Sequence, residues 1–309
     1  MNNQVKFAII AIIVVIPLTS YSVWASDANF EFSNTSDSTN LQVISSFYPL
    51  YEFAQKVGQD KVNVKLLVPE GVEPHDWEPT IQDVQKIQKS DLIIINGLGF
   101  ENWVENLDEI KHQGVVVDTS DGIILNEMLD DDDDHESEHA HESGDPHIWL
   151  NPVLAKNQVQ NIADAFSKSD PRNQEFYQKN AQNYIIKLDD LDSKIRNDLS
   201  TCSQDFIAFH DAFSYFAYEY NLHQHTILSS NDPHSEPTAK TLENVINTAR
   251  ELKINIIFTE DTIDPRVSNV IANEINGKVL VLSPLEISGD GNYISRMTEN
   301  LDNLKEALC

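Results

Sequence analysis

Apolar positions along this chain fall into two alternating rhythms: short runs with strand character, and longer stretches with helical spacing. Leu41-Gln42-Val43-Ile44-Ser45-Ser46-Phe47 alternates and leads into a helix at Tyr48 to Phe53; Val62 to Leu67 alternates again. After a loop stiffened by Pro69, Pro74 and Pro79, Thr80 to Ser90 places Ile81, Val84 and Ile87 on one helical face. Asp91 to Gly97 encloses a continuous apolar run of the kind buried on both faces of a parallel sheet. A short helix is predicted over Phe100 to Ile110 and a strand over Val115 to Asp118.

A helix is predicted over Val153 to Ser167. Asp170-Pro171 reads as a cap followed by a proline at the first helical position. From Arg172 to Leu199 there is neither Gly nor Pro, and Phe176, Tyr184, Leu188, Leu191 and Ile195 keep helical spacing. These roughly 28 residues make a rod of about 42 Å, long enough to bridge two lobes. The strand-helix rhythm then resumes. Strands are predicted at Phe206 to Phe209, Ile254 to Thr259 and Val279 to Leu282, and helices at Ala212 to Tyr220, Ala239 to Leu252, Asp264 to Ile275 and Tyr293 to Leu308. The whole pattern predicts an α/β protein of two lobes, each with a mainly parallel sheet flanked by helices, joined by one long rigid helix.

Composition narrows the partners. With 309 residues there is room for two lobes, and a formal charge of −29 argues against nucleic acid, whose phosphates need a basic surface. The first residues point to export: Lys6 precedes the apolar run Phe7 to Pro17, and Val23-Trp24-Ala25 can close a cleavage site. Residues 1–25 are therefore expected to be a signal peptide or an N-terminal anchor, and 26–40 a flexible linker. No cysteine lies near the cleavage site, so a thioether-linked lipid is not expected there. The N-terminal lobe is expected over 41–152, connecting helices over 153–200 and the C-terminal lobe over 201–309. The chain has two cysteines, Cys202 and Cys309. Both fall in the second lobe of an exported chain, and a disulfide between them is expected.

One stretch departs from the rhythm. Residues 128–144 carry five consecutive aspartates and then alternate acids with His135, His139 and His141; they run into Asp145-Pro146-His147-Ile148-Trp149-Leu150-Asn151-Pro152. The acidic part has too little apolar surface to fold alone and suits a mobile metal-recruiting loop. Deleting 130–142 is expected to leave the melting temperature of the metal-free protein unchanged while lowering zinc stoichiometry or capture rate. A large loss of metal-free stability would show instead that the loop is packed.

Three histidines share one topological position. His75 follows the strand at Val62 to Leu67, His147 follows the acidic loop after Val115 to Val117, and His210 ends the strand Phe206 to Phe209. Ligands in open α/β sheets bind beyond the carboxyl ends of strands. Each histidine alone reads as a structural or surface residue, but together they point into one cleft between the lobes. His112, His223, His225 and His234 receive no role from this pattern.

Several segments carry a family resemblance: the stretch from Phe47 to Thr80 with its Gly-Val-x-x-His, Ser90 to Leu107, Asp145 to Pro152, Phe206 to Tyr220, Ser235 to Ile246 and Ile256 to Asp261. They resemble the zinc/manganese group of ABC-importer solute-binding proteins. The resemblance implies a metal held between the lobes by three histidines and a carboxylate. Matched motif by motif, these are His75, His147 and His210. Manganese-type members place an aspartate where this chain has Ser283, and some zinc-type members use the Glu of Pro-Leu-Glu; Glu286 is thus the expected fourth ligand, with Glu260 or a water as the alternative and Glu260 otherwise a supporting acceptor. The chemistry agrees, since three imidazoles and one oxygen suit Zn²⁺ better than Mn²⁺.

The expected function is capture of Zn²⁺, less favourably Mn²⁺, outside the cytoplasm for an ABC permease and its ATPase, by a monomer without enzymatic activity. A zinc-dependent hydrolase is the alternative from a different class, although no His-Glu-x-x-His helix is present. A surface metal buffer or adhesin would use the same site.

Overall fold

A computed structural model describes residues 40–124, 145–228 and 236–309. The expected signal or anchor and the recruiting histidines His135, His139 and His141 lie outside the described residues. Among those residues no helix is long and apolar enough to cross a membrane.

The N-terminal lobe runs β1 (Leu41–Ser45), α1 (Tyr48–Gly58), β2 (Val62–Leu66), α2 (Ile81–Ile87), β3 (Leu92–Ile95), α3 (Leu107–Ile110) and β4 (Val115–Asp118). Its strands pair in parallel in the order β2-β1-β3-β4. Two helices follow, α4 (Pro152–Ser169) and α5 (Gln174–Leu199). The C-terminal lobe runs β5 (Asp205–Ala208), α6 (Ser214–Glu219), β6 (His223–Thr226), α7 (Ala239–Leu252), β7 (Ile256–Thr259), α8 (Arg266–Glu274), β8 (Lys278–Val281) and α9 (Tyr293–Leu308). Its parallel order, β6-β5-β7-β8, repeats that of the first sheet.

Parallel strands need long crossovers, which explains the regular spacing of helices between them. The central strands β3 and β7 are buried along their whole length, as their unbroken apolar runs predict. The order of strands reverses between β1 and β3 and again between β5 and β7. Each reversal opens a crevice at the carboxyl ends of the strands.

The long helix α5 has 26 residues, about 39 Å, and buries Tyr177, Ala181, Tyr184, Leu188, Leu191, Ile195 and Leu199 along one stripe. That stripe belongs to a single apolar core shared by both lobes, reaching from Val43 and Phe53 to Phe258 and Leu301. Polar groups inside this core also cross between lobes. Glu52 of α1 accepts from Tyr184 Oη and from the backbone N–H of Tyr293 at the start of α9. Tyr293 Oη donates to the Trp149 carbonyl, while Trp149 Nε1 donates to the Pro284 carbonyl at 2.7 Å. A disulfide joins Cys202, just beyond α5, to Cys309 at the end of α9.

Some elements differ from the sequence expectation. β6 is an edge strand absent from the hydrophobic pattern, because His223-Gln224-His225-Thr226 is polar and none of the four is fully buried. The predicted helix at Arg172 begins as a 3₁₀ turn, Pro171–Asn173, and becomes α-helical from Gln174. The Asp170 side chain accepts from Asn173 Nδ2 and Tyr177 Oη instead of capping a backbone N–H. The segment predicted as helix over Phe100 to Ile110 is a 3₁₀ turn at Asn102–Asn106 followed by α3. Here Glu101 turns inward to accept from Ser46 Oγ and the N–H groups of Asn96 and Gly97, so the segment begins tightly.

Candidate metal centre

Four side chains from four loops converge on one point. His75 lies between β2 and α2, His147 opens the 3₁₀ turn Ile148–Leu150, His210 lies two residues beyond β5, and Glu286 lies between β8 and α9. One donor atom from each lies within 4.8 Å of the others. The Nε2 atom of His147 is 3.3 Å from Nε2 of both His75 and His210, and 3.3 Å from Glu286 Oε1. Glu286 Oε1 is 3.2 Å from His75 Nε2 and 3.8 Å from His210 Nε2. A tetrahedral Zn²⁺ with ligands at 2.0–2.1 Å would set them about 3.3–3.4 Å apart. Of the six edges of such a tetrahedron, four fall within about 0.2 Å of that spacing, the Glu286–His210 edge is longer at 3.8 Å, and the His75–His210 edge lies within 4.8 Å.

The histidines are aimed from behind. His147 Nδ1 is 2.7 Å from Asp145 Oδ1, and His210 Nδ1 is 2.5 Å from Glu260 Oε1. A proton on each Nδ1, donated to the carboxylate, leaves the Nε2 lone pair facing the cluster. Glu260, considered from sequence as an alternative ligand, sits on the far side of His210 and also accepts its backbone N–H. Asp145 is held by Tyr215 Oη, which donates to its carbonyl at 2.7 Å. Asn96 Nδ2 donates to the Pro146 carbonyl, and Gln158 Nε2 donates to Asn96 Oδ1, so the buried end of β3 braces the His147 loop. Among the described residues no carboxylate stands behind the His75 ring in this way; it packs edge-on against Phe100, with centroids 4.7 Å apart.

Glu286 is presented by a strained turn. Leu285, buried, has φ of 57°, a left-handed conformation that costs a β-carbon-bearing residue about 1–2 kcal/mol. Helix α9 holds the turn in place: Asn300 bonds both the N–H and the carbonyl of Ser283, and Arg296 Nη1 donates to the Ile287 carbonyl at 2.6 Å. Arg296 also donates to Asp261 and to Ser283 Oγ. These two residues lie four apart on α9, one turn of helix, and grip the loop on either side of Glu286.

The charges reinforce one another. Burial alone would push the Glu286 carboxyl up, but the charge of His75, hydrogen bonds from His147 and His75, and the charge of His210 hold it well below the usual carboxylate range. Burial would depress His147, yet Asp145 and Glu286 together raise it to about 10. His210 is likewise raised: burial opposes its charge, and Glu260 and Glu286 outweigh burial. Glu73, two residues before His75, is pushed up to about 8 by burial and by the nearby Glu286. In the metal-free protein, protons thus occupy imidazoles that must be neutral to bind a metal.

Zinc binding near neutral pH is therefore expected to release about one or two protons, and affinity should fall as the pH is lowered. Calorimetry in buffers of different ionisation enthalpy measures this directly. A heat of binding independent of the buffer would show that the imidazoles are already neutral.

Comparison with known proteins finds relatives named for zinc. The family model for zinc-uptake complex component A, periplasmic (ZnuA), matches residues 43–307. The chain belongs to the ZnuA family. It is 40% identical over 293 residues to the high-affinity zinc uptake system protein ZnuA of Bacillus subtilis (strain 168), covering 89% of this chain and 90% of that protein. It is 37% identical over 279 residues to the zinc-binding lipoprotein AdcA of Streptococcus pneumoniae; the match takes in 86% of this chain and only 55% of the longer relative. The solved Zn(II)-bound ZnuA-like domain of pneumococcal AdcA superposes with a TM-score of 0.74 at 34% identity, covering 87% of this chain and 98% of that one. The ZnuA family comprises solute-binding proteins for zinc uptake, not enzymes.

For this ZnuA-family chain, the sequence singled out His75, His147, His210 and Glu286, and the structure brings all four together. It passed over Asp145, Glu73, Arg296 and Asn300. Asp145 was within reach, because an acid two residues before a candidate ligand is placed to meet its Nδ1. Arg296 and Asn300 carry a fainter signal: two polar residues on the same face of α9 as the buried Met297, Leu301 and Leu304.

Proposed function

We propose that this chain captures Zn²⁺ outside the cytoplasm, with His75, His147, His210 and Glu286 as ligands, and passes it to the permease and ATPase of an ABC importer. The convergence of three imidazole nitrogens and one carboxylate oxygen at tetrahedral spacing carries this reading. Its relatives are named for zinc uptake and zinc binding. Glu286 completes a four-ligand set, and a closed set lacks the open water position that zinc hydrolysis requires. With Zn²⁺ bound, the ligands leave one net positive charge, and the Asp145 and Glu260 carboxylates lie directly behind.

The ligands differ in exposure. The His75 side chain is 11% exposed, against 0% for His147 and His210 and 3% for Glu286. The ion on this reading enters and leaves past His75, on its proline-stiffened loop. The site is complete within one chain, which supports a monomer as the delivering unit.

Competition against a chelator of known affinity tests the ligand set. Glu286→Ala is expected to weaken Zn²⁺ binding without abolishing it, because three imidazoles remain and water can enter. Glu260→Ala is expected to lose roughly 10–100-fold, the usual cost of removing a partner that orients a ligand. If Glu286→Ala binds like the parent while Glu260→Ala loses affinity, the fourth ligand has been misassigned. Parent protein that prefers Mn²⁺ to Zn²⁺ in the same assay would overturn the choice of metal.

A further inference from the structure

The edge of the second sheet carries another group of imidazole and carboxylate side chains, remote from the cleft. In β6 the side chains alternate: Gln224 turns to one side, bonding the Phe213 N–H and the Asp211 carboxylate, and leaves His223 and His225 together on the opposite face. Asp205, which pairs with His223 across the β5–β6 ladder, shares that face. Its Oδ1 atom lies 2.9 Å from His225 Nε2 and 3.5 Å from His223 Nδ1.

We propose that Asp205, His223 and His225 form a second divalent-cation site, suited to zinc and similar borderline metals. Two imidazole nitrogens already stand around one carboxylate oxygen at separations that bracket the roughly 3.3 Å between ligands of a tetrahedral zinc. To take the ion, His225 needs only to move its proton from Nε2 to Nδ1, and His223 from Nδ1 to Nε2, which frees a lone pair beside the oxygen. Water completes the coordination, because the three side chains are 62%, 35% and 32% exposed for His223, His225 and Asp205. An open site of three ligands binds more weakly than the closed site of four. A chain of formal charge −29 raises the cation concentration at its surface, which favours filling such a site.

The two sites are separate. Asp205 begins β5 and His210 follows its end, so five residues of extended chain put about 16 Å between them. The edge site lies toward the amino end of the sheet, the cleft at its carboxyl end.

Equilibrium dialysis of the full chain against a graded series of zinc buffers counts the equivalents held. The parent is expected to hold its first equivalent at low free zinc and further ones as free zinc rises. His223→Ala/His225→Ala should hold one equivalent fewer at the high end and the same number at the low end. An unchanged count overturns the proposal and leaves the two imidazoles as hydrogen-bonding partners that pin β6. Loss of the tight equivalent also overturns it, because the cleft site has then been disturbed. A second variant, Asp205→Asn, keeps an oxygen acceptor but removes the charge, so it guards against misfolding of the first. It should move the same weak equivalent to higher free zinc; a curve that does not move counts against the site.

Discussion

His147→Ala is expected to cost more zinc affinity than any other single substitution in the cleft. This residue is the vertex from which the rest of the cluster is spaced, 3.3 Å from each of the other three donor atoms. It is fully buried, so water has no ready path to replace the lost nitrogen. Its removal also takes the imidazole partner from Asp145, whose Oδ1 then keeps only the backbone N–H of residue 147. The expected loss exceeds the roughly 10–100-fold associated with an outer partner such as Glu260. His75→Ala should be milder, since that vertex is partly exposed and water can take its place. Chelator competition on both variants checks the ranking. Equal losses would mean that burial does not govern how well the site tolerates a missing ligand.

Reduction of the Cys202–Cys309 disulfide is expected to have the largest effect on stability. The cross-link closes a loop with a sequence separation of 107 residues that contains the whole second sheet, together with His210, Glu260 and Glu286. Constraining the unfolded chain over a loop of this length is worth at most about 4–5 kcal/mol in the chain-entropy model, and native disulfides typically contribute about 2–5 kcal/mol. Other links hold the same ends together, notably the Ser203 N–H bonded to the Leu308 carbonyl and the Lys305–Asp198 ion pair. These act only in the folded state and cannot replace a constraint on the unfolded one. The midpoint of guanidinium unfolding for the metal-free chain, with and without reductant, measures the difference. Coincident curves would show that the bridge adds nothing.

Much of the fold was legible because a parallel sheet buried on both faces demands unbroken apolar strands, and β3 and β7 have them. The long helix was legible from spacing alone: a stripe of apolar residues three and four apart, with no Gly or Pro to interrupt it. β6 was not legible, because an edge strand need bury little and His223-Gln224-His225-Thr226 buries little. The helix start near Arg172 was misplaced because Asp170, which looks like a cap, spends its carboxylate on Asn173 and Tyr177.

By itself the sequence determined which residues can meet a metal: imidazoles and a carboxylate just beyond strand ends, in an α/β order that sends those ends to one side of each sheet. It equally determined the acidic character that argues against nucleic acid and favours a cation. Only the tertiary structure decided the rest. Whether Glu260 or Glu286 joins the three histidine Nε2 atoms depends on a left-handed Leu285 and on Arg296 and Asn300 gripping the turn from α9, contacts made by residues distant in the chain. The nitrogen that His147 and His210 offer depends on which carboxylate stands behind each, and Glu260 reaches His210 from 50 residues away. Spacing along a chain constrains local periodicity; the distances of a coordination shell are set by how separate loops pack.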